Sequence, residues 1–288
     1  MGQQLLQLFL NGLMAGAVLA VPAIGLSTIF AVLRFVDFAV AGHMAVGAFA
    51  GWIANVTLGL PAWAAVAAAF AAAGLAGIAT HEAALRPLRG QSALTLAIAS
   101  IALNLMIENA IRFGFGNGPR DYAVALLRDW SLGGLRIGPQ QAEDAAIAVV
   151  AMALLFLFLS MTTTGKAMRA VADNPALADS KGIDPGHMAR VAIGLGMGLA
   201  GLGGMLVGLD SAIDPLLGFR AILSVFAAAV LGGLGNIPGA ALGGFAIGLA
   251  EELSLVAVPA TYKGAIGFVA ILAILTLRPR GLLGAAAA

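Results

Sequence analysis

Long apolar runs with almost no charge dominate this sequence. Residues 145–161 are almost entirely apolar and do not alternate with polar residues, and several other stretches are similar. An α-helix of ~20 such residues crosses a bilayer core of about 30 Å. A transmembrane β-barrel would instead show ~10-residue strands of alternating polarity, so the sequence excludes a barrel. The predicted fold class is all-α, a polytopic transmembrane helical bundle.

The overall composition agrees with a membrane protein. The 288 residues are 61% hydrophobic and 10% charged, whereas a soluble domain carries roughly 25% charged residues. A net charge of +1 favours neither nucleic acid nor an acidic partner. The chain contains no cysteine, which excludes disulfides, thiol catalysis and iron–sulfur chemistry.

Hydropathy divides the chain into about 8–9 candidate spans within one transmembrane domain, residues 1–288. They are 5–33, 35–58, 62–80, 93–111, 145–161, 191–209, 221–234, 240–258 and 264–277. The count is open because Pro22 could break the first run and because 221–234 is short. The first run lacks the positive flank of a cleavable signal peptide, so we expect a first membrane helix there.

The basic residues indicate an orientation. Nine of the 15 fall on one side if the turn at 86–89, segment 162–190 and the tail are placed together: Arg34, Arg86, Arg89, Lys166, Arg169, Lys181, Arg190, Arg278 and Arg280. An excess of Lys and Arg marks the cytoplasmic side. The loop 112–141 then lies outside, and nine spans would place the N-terminus outside as well.

Small residues mark the expected helix contacts. They recur every four residues on one face of the sixth span, at Ala192, Gly196, Ala200, Gly204 and Gly208. This spacing lets two backbones approach closely in a membrane, although glycine is also common in membrane helices generally.

A second glycine cluster, LGGLGNIPG at 231–239, interrupts two short apolar segments. Transporters use such broken segments around a translocation path, which favours a transporter over a structural anchor. Its candidate path residues are Gly232, Gly233, Gly235 and Asn236.

Residues 162–190, TTTGKAMRAVADNPALADSKGIDPGHMAR, form the longest polar stretch of the second half. The pair Gly165-Lys166 suggests a phosphate-binding loop. That motif also requires a glycine five residues before Gly165 and a hydroxyl after the lysine, where this chain has Ser160 and Ala167. The sequence therefore excludes a nucleotide site of this kind.

The same stretch predicts two short helices. Thr164 is the expected cap of a helix beginning at Gly165, Asn174-Pro175 interrupts that helix, 176–180 forms the second, and 181–183 forms a turn.

The first of these helices is predicted to be amphipathic. Its apolar ridge consists of Ala167, Met168, Val171 and Ala172. Such a ridge requires a lipid surface or a protein groove, and the scarcity of lysine and of large aromatics favours a protein groove.

The segment T-x-x-G-K-A-M-R-A-V-A-D-N-P-x-x-A-x-x-x-G-I resembles the cytoplasmic coupling loop of ATP-binding-cassette (ABC) permeases of the branched-chain amino acid type, H-type subunit. Stretches 86–90, 231–239 and 278–284 resemble, in the same order, the third-to-fourth-helix turn, the glycine motif and the terminal signature of that family. The resemblance covers essentially the whole chain and implies the ABC importer permease fold.

The resemblance also implies partners. Residues 162–190 would be the coupling loop, and 166–182 would dock on a separate ATP-hydrolysing subunit that holds ATP-Mg, so this chain would bind no cofactor and catalyse no reaction. The coupling residues would be Gly165, Lys166, Arg169, Ala170, Asp173, Asn174, Ala178 and Gly182.

The implied complex is an importer. It would comprise a homologous permease subunit as a heterodimer partner, two ATP-binding subunits and an extracytoplasmic solute-binding protein. This chain, surrounded by membrane lipid, would be a multi-pass protein of the bacterial inner membrane. Branched-chain amino acids are the default solute.

Ionisable and polar groups inside spans are further path candidates, since such groups are costly in a membrane. Asn104 and Glu108 lie four residues apart on one face of the fourth span, although Glu108 could equally form a structural ion pair with Arg112. Asp37 and His43 are the others.

Asp37 stands where the family carries Asn, and His43-Met44 stands where it carries an acidic residue. His43 is interpreted more readily as bonding a neighbouring helix than as lining the path. These departures leave the solute open, since relatives also serve other amino acids, urea and small organic acids.

For Glu251 and Glu252 a structural role is favoured. Asp210, Asp214 and Arg220 are placed at an outer mouth where a solute-delivering protein would dock. His43, His81 and His187 are too scattered for a metal site, and His81-Glu82 is interpreted as an interfacial polar cap.

The alternative function is an ion-gradient-driven secondary transporter that uses Glu108 or Glu251. A membrane-embedded enzyme is disfavoured because no catalytic groups converge in the sequence.

Overall fold

α-Helices form nearly all the regular structure of this chain. The computed structural model describes residues 2–124, 128–132, 134–277 and 281–283. The helices are α1 Gly2–Leu33, α2 Val40–Trp52, α3 Ala62–Thr80, α4 Ala93–Phe115, α5 Pro139–Met161, α6 Thr163–Asp173, α7 Pro175–Ser180, α8 Pro185–Asp210, α9 Leu217–Gly232, α10 Ile237–Ser254 and α11 Lys263–Leu277.

Short elements complete the fold. One turn of π-helix extends α2 (Ile53–Thr57) and another extends α3 (His81–Leu85), and 3-10 turns lie at Arg86–Leu88 and Ala260–Tyr262. A small antiparallel hairpin, β1 Trp130–Leu132 and β2 Leu135–Ile137, pairs Trp130 with Ile137.

Five helical segments of the described chain are long and apolar enough to cross a membrane: Gly2–Leu33, Ala62–Leu88, Ala93–Phe115, Pro139–Met161 and Pro185–Asp210. The helices Leu217–Gly232 and Lys263–Leu277 are apolar but shorter. The predicted all-α polytopic bundle is confirmed.

The two ends of α1 define the two faces of the bundle. Near its start, the Gln7 side-chain amide donates to the Arg136 carbonyl oxygen of β2 at 2.7 Å. Just past its end, the Arg34 guanidinium donates to the Ala172 carbonyl oxygen of α6. We call the face with β1–β2 the hairpin face and the face with α6 and α7 the coupling face.

Within the described residues, nine apolar segments run alternately between these faces: α1, α2 with its π-turn, α3, α4, α5, α8, α9, α10 and α11. This order agrees with the nine-span prediction, which places the N-terminus opposite the coupling segment. Of the tail signature, residues 278–280 and 284 lie outside the described residues.

The sequence left open whether Pro22 breaks the first apolar run, and the structure shows that it does not. α1 runs without interruption from Gly2 to Leu33, 32 residues in all, and Pro22 within it is buried. A Cβ on Gly203 of α8 would lie only 2.5 Å from the Pro22 ring. Close packing of a neighbouring helix therefore supports α1 at the point where a backbone amide is missing.

The core forms around α8, which packs against α1, α2 and α3 through glycines. A Cβ added to Gly196 would lie 2.6 Å from the Gly25 carbonyl oxygen of α1, and one on Gly204 would lie 2.1 Å from the Met44 carbonyl oxygen of α2. Each glycine of the predicted small-residue face is buried, as are Ala192 and Ala200. The prediction of close helix contacts on this face is confirmed.

The outward faces of α4, α5 and α11 remain apolar and exposed. Met106 and Phe113 of α4 are exposed by 72% and 96%, and Leu154 of α5 and Leu272 of α11 are similarly open. Surfaces of this kind suit acyl chains or another membrane subunit.

Segment 116–124 crosses the hairpin face and is tied to the bundle. The Tyr122 hydroxyl donates to the Ala48 carbonyl oxygen of α2 at 2.7 Å, and burial raises the pKa of this phenol. The Arg120 amide donates to the Ile213 carbonyl oxygen, and its guanidinium lies over the Trp52 ring at 4.5 Å. This face is therefore ordered by contacts between distant parts of the chain.

Candidate functional site

The coupling segment forms the two predicted helices, with one correction at its start. The Thr162 hydroxyl, not that of Thr164, accepts from the Gly165 amide at 2.9 Å, and α6 begins at Thr163. Thr162 has the extended backbone that a capping residue needs, whereas Thr164 already lies inside the helix. The cap predicted at Thr164 was wrong by two residues.

The break between the two helices is as predicted. The Asn174 side-chain oxygen accepts from the Leu177 amide at 3.0 Å and so caps α7, which begins at Pro175. Gly182 has a φ of +84° and ends the segment as a turn, a conformation that favours glycine.

The apolar ridge of α6 is covered by this chain itself. Met168 and Val171 are buried in one hydrophobic cluster with Leu155 and Leu159 of α5, and Ala178 of α7 joins it. A Cβ on Gly165 would lie 2.4 Å from the Phe158 carbonyl oxygen, so α6 folds back tightly on α5. The expectation that the ridge requires an external groove was wrong, because the preceding helix α5 covers it.

The predicted coupling residues consequently divide into two groups. Gly165 and Ala178 are buried and Ala170 is half-buried, so these residues position the helices. An exposed edge remains, which we call the coupling surface: Lys166, Arg169, Asp173, Asn174 and Leu177. Gly182 is exposed at the end of the segment.

The end of α1 holds α6 in place. Arg34 is the residue other than glycine with a positive φ (+59°) in the described chain, and its guanidinium donates to the Ala172 carbonyl oxygen near the end of α6. This left-handed conformation is costly for a side chain with a Cβ. The cost of this conformation is offset by the contact with Ala172, which links the first membrane helix to the coupling segment, residues 162–190.

The predicted path residues of the second span are fully buried. The Asp37 Oδ1 atom accepts from the Ala39 amide at 2.9 Å, and its Oδ2 atom has no hydrogen-bond partner in the described chain. His43 Nδ1 lies 2.7 Å from the Ala39 carbonyl oxygen, and Nε2 lies 3.2 Å from the Thr80 hydroxyl of α3. His43 therefore bonds a neighbouring helix, the interpretation that sequence favoured.

Asn104 and Glu108 face α2 from α4. The Asn104 side-chain oxygen lies 3.0 Å from where a Cβ on Gly42 would be. Arg112 donates to a Glu108 carboxylate oxygen at 2.6 Å. The structural ion pair that sequence offered as an alternative is formed, and it satisfies a carboxylate that is only 7% exposed.

The glycine motif forms a turn at the coupling face between α9 and α10. Gly233 and Gly235 have φ values of +101° and +86°, which the turn requires. The Asn236 side-chain oxygen caps α10 through the Gly239 amide at 2.9 Å, while its side-chain nitrogen donates to the Leu283 carbonyl oxygen at 2.6 Å. The eight path candidates thus lie on the second span, on α4 beside it, and at the glycine turn.

Sequence reasoning missed the juxtaposition of this turn with the coupling segment. A cavity of ≈ 510 Å³ lies between them, lined by Arg34, Arg169 and Asp173 on one side and by Gly235 and Asn236 on the other. The glycine motif and the coupling helix therefore share one cavity, although they are far apart in sequence.

A second missed feature is an acidic cavity of ≈ 260 Å³ at the hairpin face. It is lined by Asn11, Gln141, Asp144, Asp210, Glu251, Glu252 and Lys263, among others. Lys263 pairs with Glu252, and the Ser224 hydroxyl donates to Glu251 at 2.5 Å. Asp144 is 1% exposed, and one of its carboxylate oxygens accepts from Gln140. Sequence analysis singled out Asp210, Glu251 and Glu252 one by one, but not their position around one cavity with Asp144.

The residues predicted for an outer mouth, Asp210, Asp214 and Arg220, lie at the hairpin face. Arg220 donates to Asp214 at 2.6 Å on an exposed surface. Among the described residues, no group of three or more His, Cys, Asp or Glu side chains is arranged to hold a metal ion.

Comparison with known proteins places this architecture in a family. Residues 8–275 match the family described as "Branched-chain amino acid transport system / permease component". The chain belongs to this family. The match covers nearly every element described above, including the coupling segment and the glycine turn.

Curated relatives of the family match along nearly their full length. The high-affinity branched-chain amino acid transport system permease protein LivH of Escherichia coli K12 is 30% identical, over 97% of this chain and 95% of its own length. BraD of Pseudomonas aeruginosa, described in the same words, is also 30% identical. A probable branched-chain amino acid transport permease, LivH of Methanocaldococcus jannaschii, is 28% identical over 92% of this chain and 88% of its own length.

The structure named "PsaBC from Streptococcus pneumoniae in complex with Fab" matches at a TM-score of 0.50 and 13% identity. The match covers 94% of the present chain and 91% of the matched chain in that structure. At this identity the likeness supports the fold alone. The predicted LivH-type permease, a multi-pass membrane subunit of an ABC importer, is confirmed by the family.

Proposed function

We propose that this permease moves branched-chain or related amino acids into the cytoplasm, driven by ATP-binding subunits that dock on the coupling surface. The observation that carries the proposal is the division of α6 and α7 into a buried side and an exposed side. Met168 and Val171 lock the pair onto the bundle, while Lys166, Arg169 and Asp173 face outward. A partner that pushes on the outer side would therefore move the inner side with it.

The contacts of the segment provide a route for that movement. The buried ridge packs against α5 and α8, and Arg34 adds a link to α1. Close-packed helices do not deform continuously, so a displacement of α6 is transmitted to whole helices. The cavity shared by α6 and the glycine turn brings α9 and α10 into the same region.

The remaining partners follow from the same proposal. ATP-Mg belongs to the docking subunits, because the segment lacks the spacing of a phosphate-binding loop. A solute-binding protein would approach the hairpin face, and a homologous permease would cover one exposed apolar face to give a heterodimer. The bacterial inner membrane is the setting that the bacterial relatives suggest, and the solute is suggested by their names.

The test is charge reversal on the coupling surface in proteoliposomes that contain the complete complex. Arg169→Glu and Asp173→Lys are each expected to lower ATP-dependent uptake of labelled leucine by about tenfold or more, since each replaces an attraction by a repulsion at a buried interface. The ATP-binding subunit should also be lost on affinity purification through this chain.

The matched control is Arg128→Glu, the same reversal on the hairpin side. It should leave recovery of the ATP-binding subunit unchanged. Full uptake and full recovery in both coupling-surface variants would refute docking through this surface. Uptake by the purified chain without ATP would instead favour an ion-gradient-driven transporter.

A further inference from the structure

A separate cavity at the coupling face has a mostly apolar wall with two basic side chains in it. It measures ≈ 260 Å³ and lies among the ends of α1 and α3 and the starts of α4 and α8. Most of its lining is apolar, including Val32, Phe35 and Leu96. Two nitrogen-bearing side chains, His81 and Arg89, also line it.

The contact between these two side chains defines the protonation of the histidine. Arg89 Nη2 lies 3.1 Å from His81 Nε2. A guanidinium group has only donors, so Nε2 must accept and the ring proton lies on Nδ1. His81 is 2% exposed, and its Nδ1 atom has no hydrogen-bond partner in the described chain. A buried N–H group without an acceptor is costly and uncommon.

The neighbouring carboxylate does not supply the missing acceptor. Glu82 pairs with Arg86 at 2.5 Å and with Arg190 at 3.6 Å. Within the described residues, no carboxylate forms an ion pair with Arg89. The cavity therefore presents an exposed guanidinium group that has no carboxylate partner in the described chain, which favours a negatively charged oxygen ligand, while the buried His81 ring holds that guanidinium through Nε2.

We propose that this cavity binds a phosphate group, that of an anionic phospholipid in the leaflet at the coupling face. Arg89 binds the phosphate oxygens, His81 positions the guanidinium through Nε2, and the apolar wall contacts the acyl chain. Basic pockets between membrane helices on the cytoplasmic side bind such headgroups, and the anionic surface of that leaflet raises their local concentration. A guanidinium group matches the geometry of phosphate oxygens better than an ammonium does.

Occupancy of this cavity would affect the coupling segment directly. Val171 of α6 and Pro175 of α7 form part of its wall, and Pro185 at the start of α8 forms another part. A bound lipid therefore touches both helices that carry the coupling surface. It stabilises their position against the bundle.

The test is binding of phosphatidylglycerol to the purified full-length chain, measured by native mass spectrometry with phosphatidylcholine as the comparison lipid. Arg89→Gln is expected to lower phosphatidylglycerol binding by about tenfold or more, the loss of a charge-assisted contact. His81→Phe should lower it as well. Arg86→Gln is the matched control. It removes the same charge three residues from Arg89, but the Arg86 side chain already has a partner in Glu82.

Three outcomes would overturn the proposal. Equal binding by all variants would mean that the cavity is not the site, and an equal loss in Arg86→Gln and Arg89→Gln would mean non-specific surface attraction. Release of the ATP-binding subunit by Arg89→Gln with lipid binding unchanged would assign the cavity to a protein contact. A variant that elutes as aggregate is replaced by Arg89→Lys, which keeps the charge, loses the fork and should bind more weakly than the native chain.

A second readout places the lipid. Phosphatidylglycerol should slow hydrogen exchange at 171–176 in the native chain and in Arg86→Gln, but not in Arg89→Gln. An added arm with inorganic phosphate distinguishes the source of the anion. If inorganic phosphate does not displace the lipid, the cavity is a site for a lipid headgroup. If phosphate displaces the lipid and slows hydrogen exchange at 171–176 equally, the site binds the anion itself and free phosphate is its ligand.

Discussion

The coupling face and the hairpin face carry opposite kinds of charge in their cavities. At the coupling face, the basic side chains of Arg89 and His81 line a cavity, and no carboxylate of the described chain pairs with Arg89. At the hairpin face, acidic residues line a cavity in which Glu251 and Glu252 have partners and the Oδ2 atom of Asp144 has none in the described chain. The paired glutamates stabilise the fold, whereas the guanidinium of Arg89 is free to contact an anionic group from outside. The two faces therefore differ in what they need from other molecules.

The largest expected effect comes from separating the helices that join the two faces. Gly204→Leu places a side chain where even a Cβ lies 2.1 Å from the Met44 carbonyl oxygen. Because this oxygen belongs to the backbone, α2 and α8 must separate, and we expect loss of folded protein in a size-exclusion assay. Gly114→Leu is the control, since nothing lies within 4 Å of a Cβ there. A folded Gly204→Leu chain would contradict the helix packing.

The next effect distinguishes the ion pairs of the two faces. Lys263→Met at the hairpin face removes the partner of Glu252, whose side chain is only 12% exposed. We expect the free energy of unfolding to fall by about 1–2 kcal/mol, a value that allows for the partly exposed lysine. The double variant with Glu252→Gln should recover part of this loss. Arg86→Gln removes an exposed pair at the coupling face, and no measurable change in thermal unfolding is expected. Equal losses would remove the distinction between the faces.

The smallest effect concerns the end of α1. Arg34→Ala loses the contact with the Ala172 carbonyl oxygen and keeps the strained positive φ, whereas Arg34→Gly loses the contact but relieves the strain. The glycine variant should therefore be more stable than the alanine variant by about 1 kcal/mol, measured by thermal unfolding in detergent. Both variants should weaken coupling of ATP hydrolysis to uptake. An alanine variant as stable as the glycine variant would contradict the left-handed conformation.

Local patterns in the sequence predicted much of this molecule. The apolar runs predicted the helices, and the small residues at 192–208 predicted the buried face of α8, because both depend on spacing along one element. The break at Asn174-Pro175 and the turn at Gly182 follow from local backbone preferences in the same way.

Features that depend on contacts between one element and another could not be predicted in this way. The cover over Met168 and Val171 comes from α5, and the partners of Glu252 and His81 lie in other turns or helices. The capping error at Thr162 has a different origin, since three consecutive threonines offer the same chemistry and only the backbone decides among them.

The uninterrupted length of α1 has a consequence for how events on the two sides of the membrane are connected. Its 32 residues form a rod of about 48 Å, held at one end by Gln7 and at the other by Arg34. A rod of this kind can tilt or shift as a unit, but it cannot shorten. In the proposed importer, a solute carrier on one side and an ATP-driven partner on the other would therefore act on opposite ends of the same helix, and a shift at one end would be felt at the other without a relay of side chains.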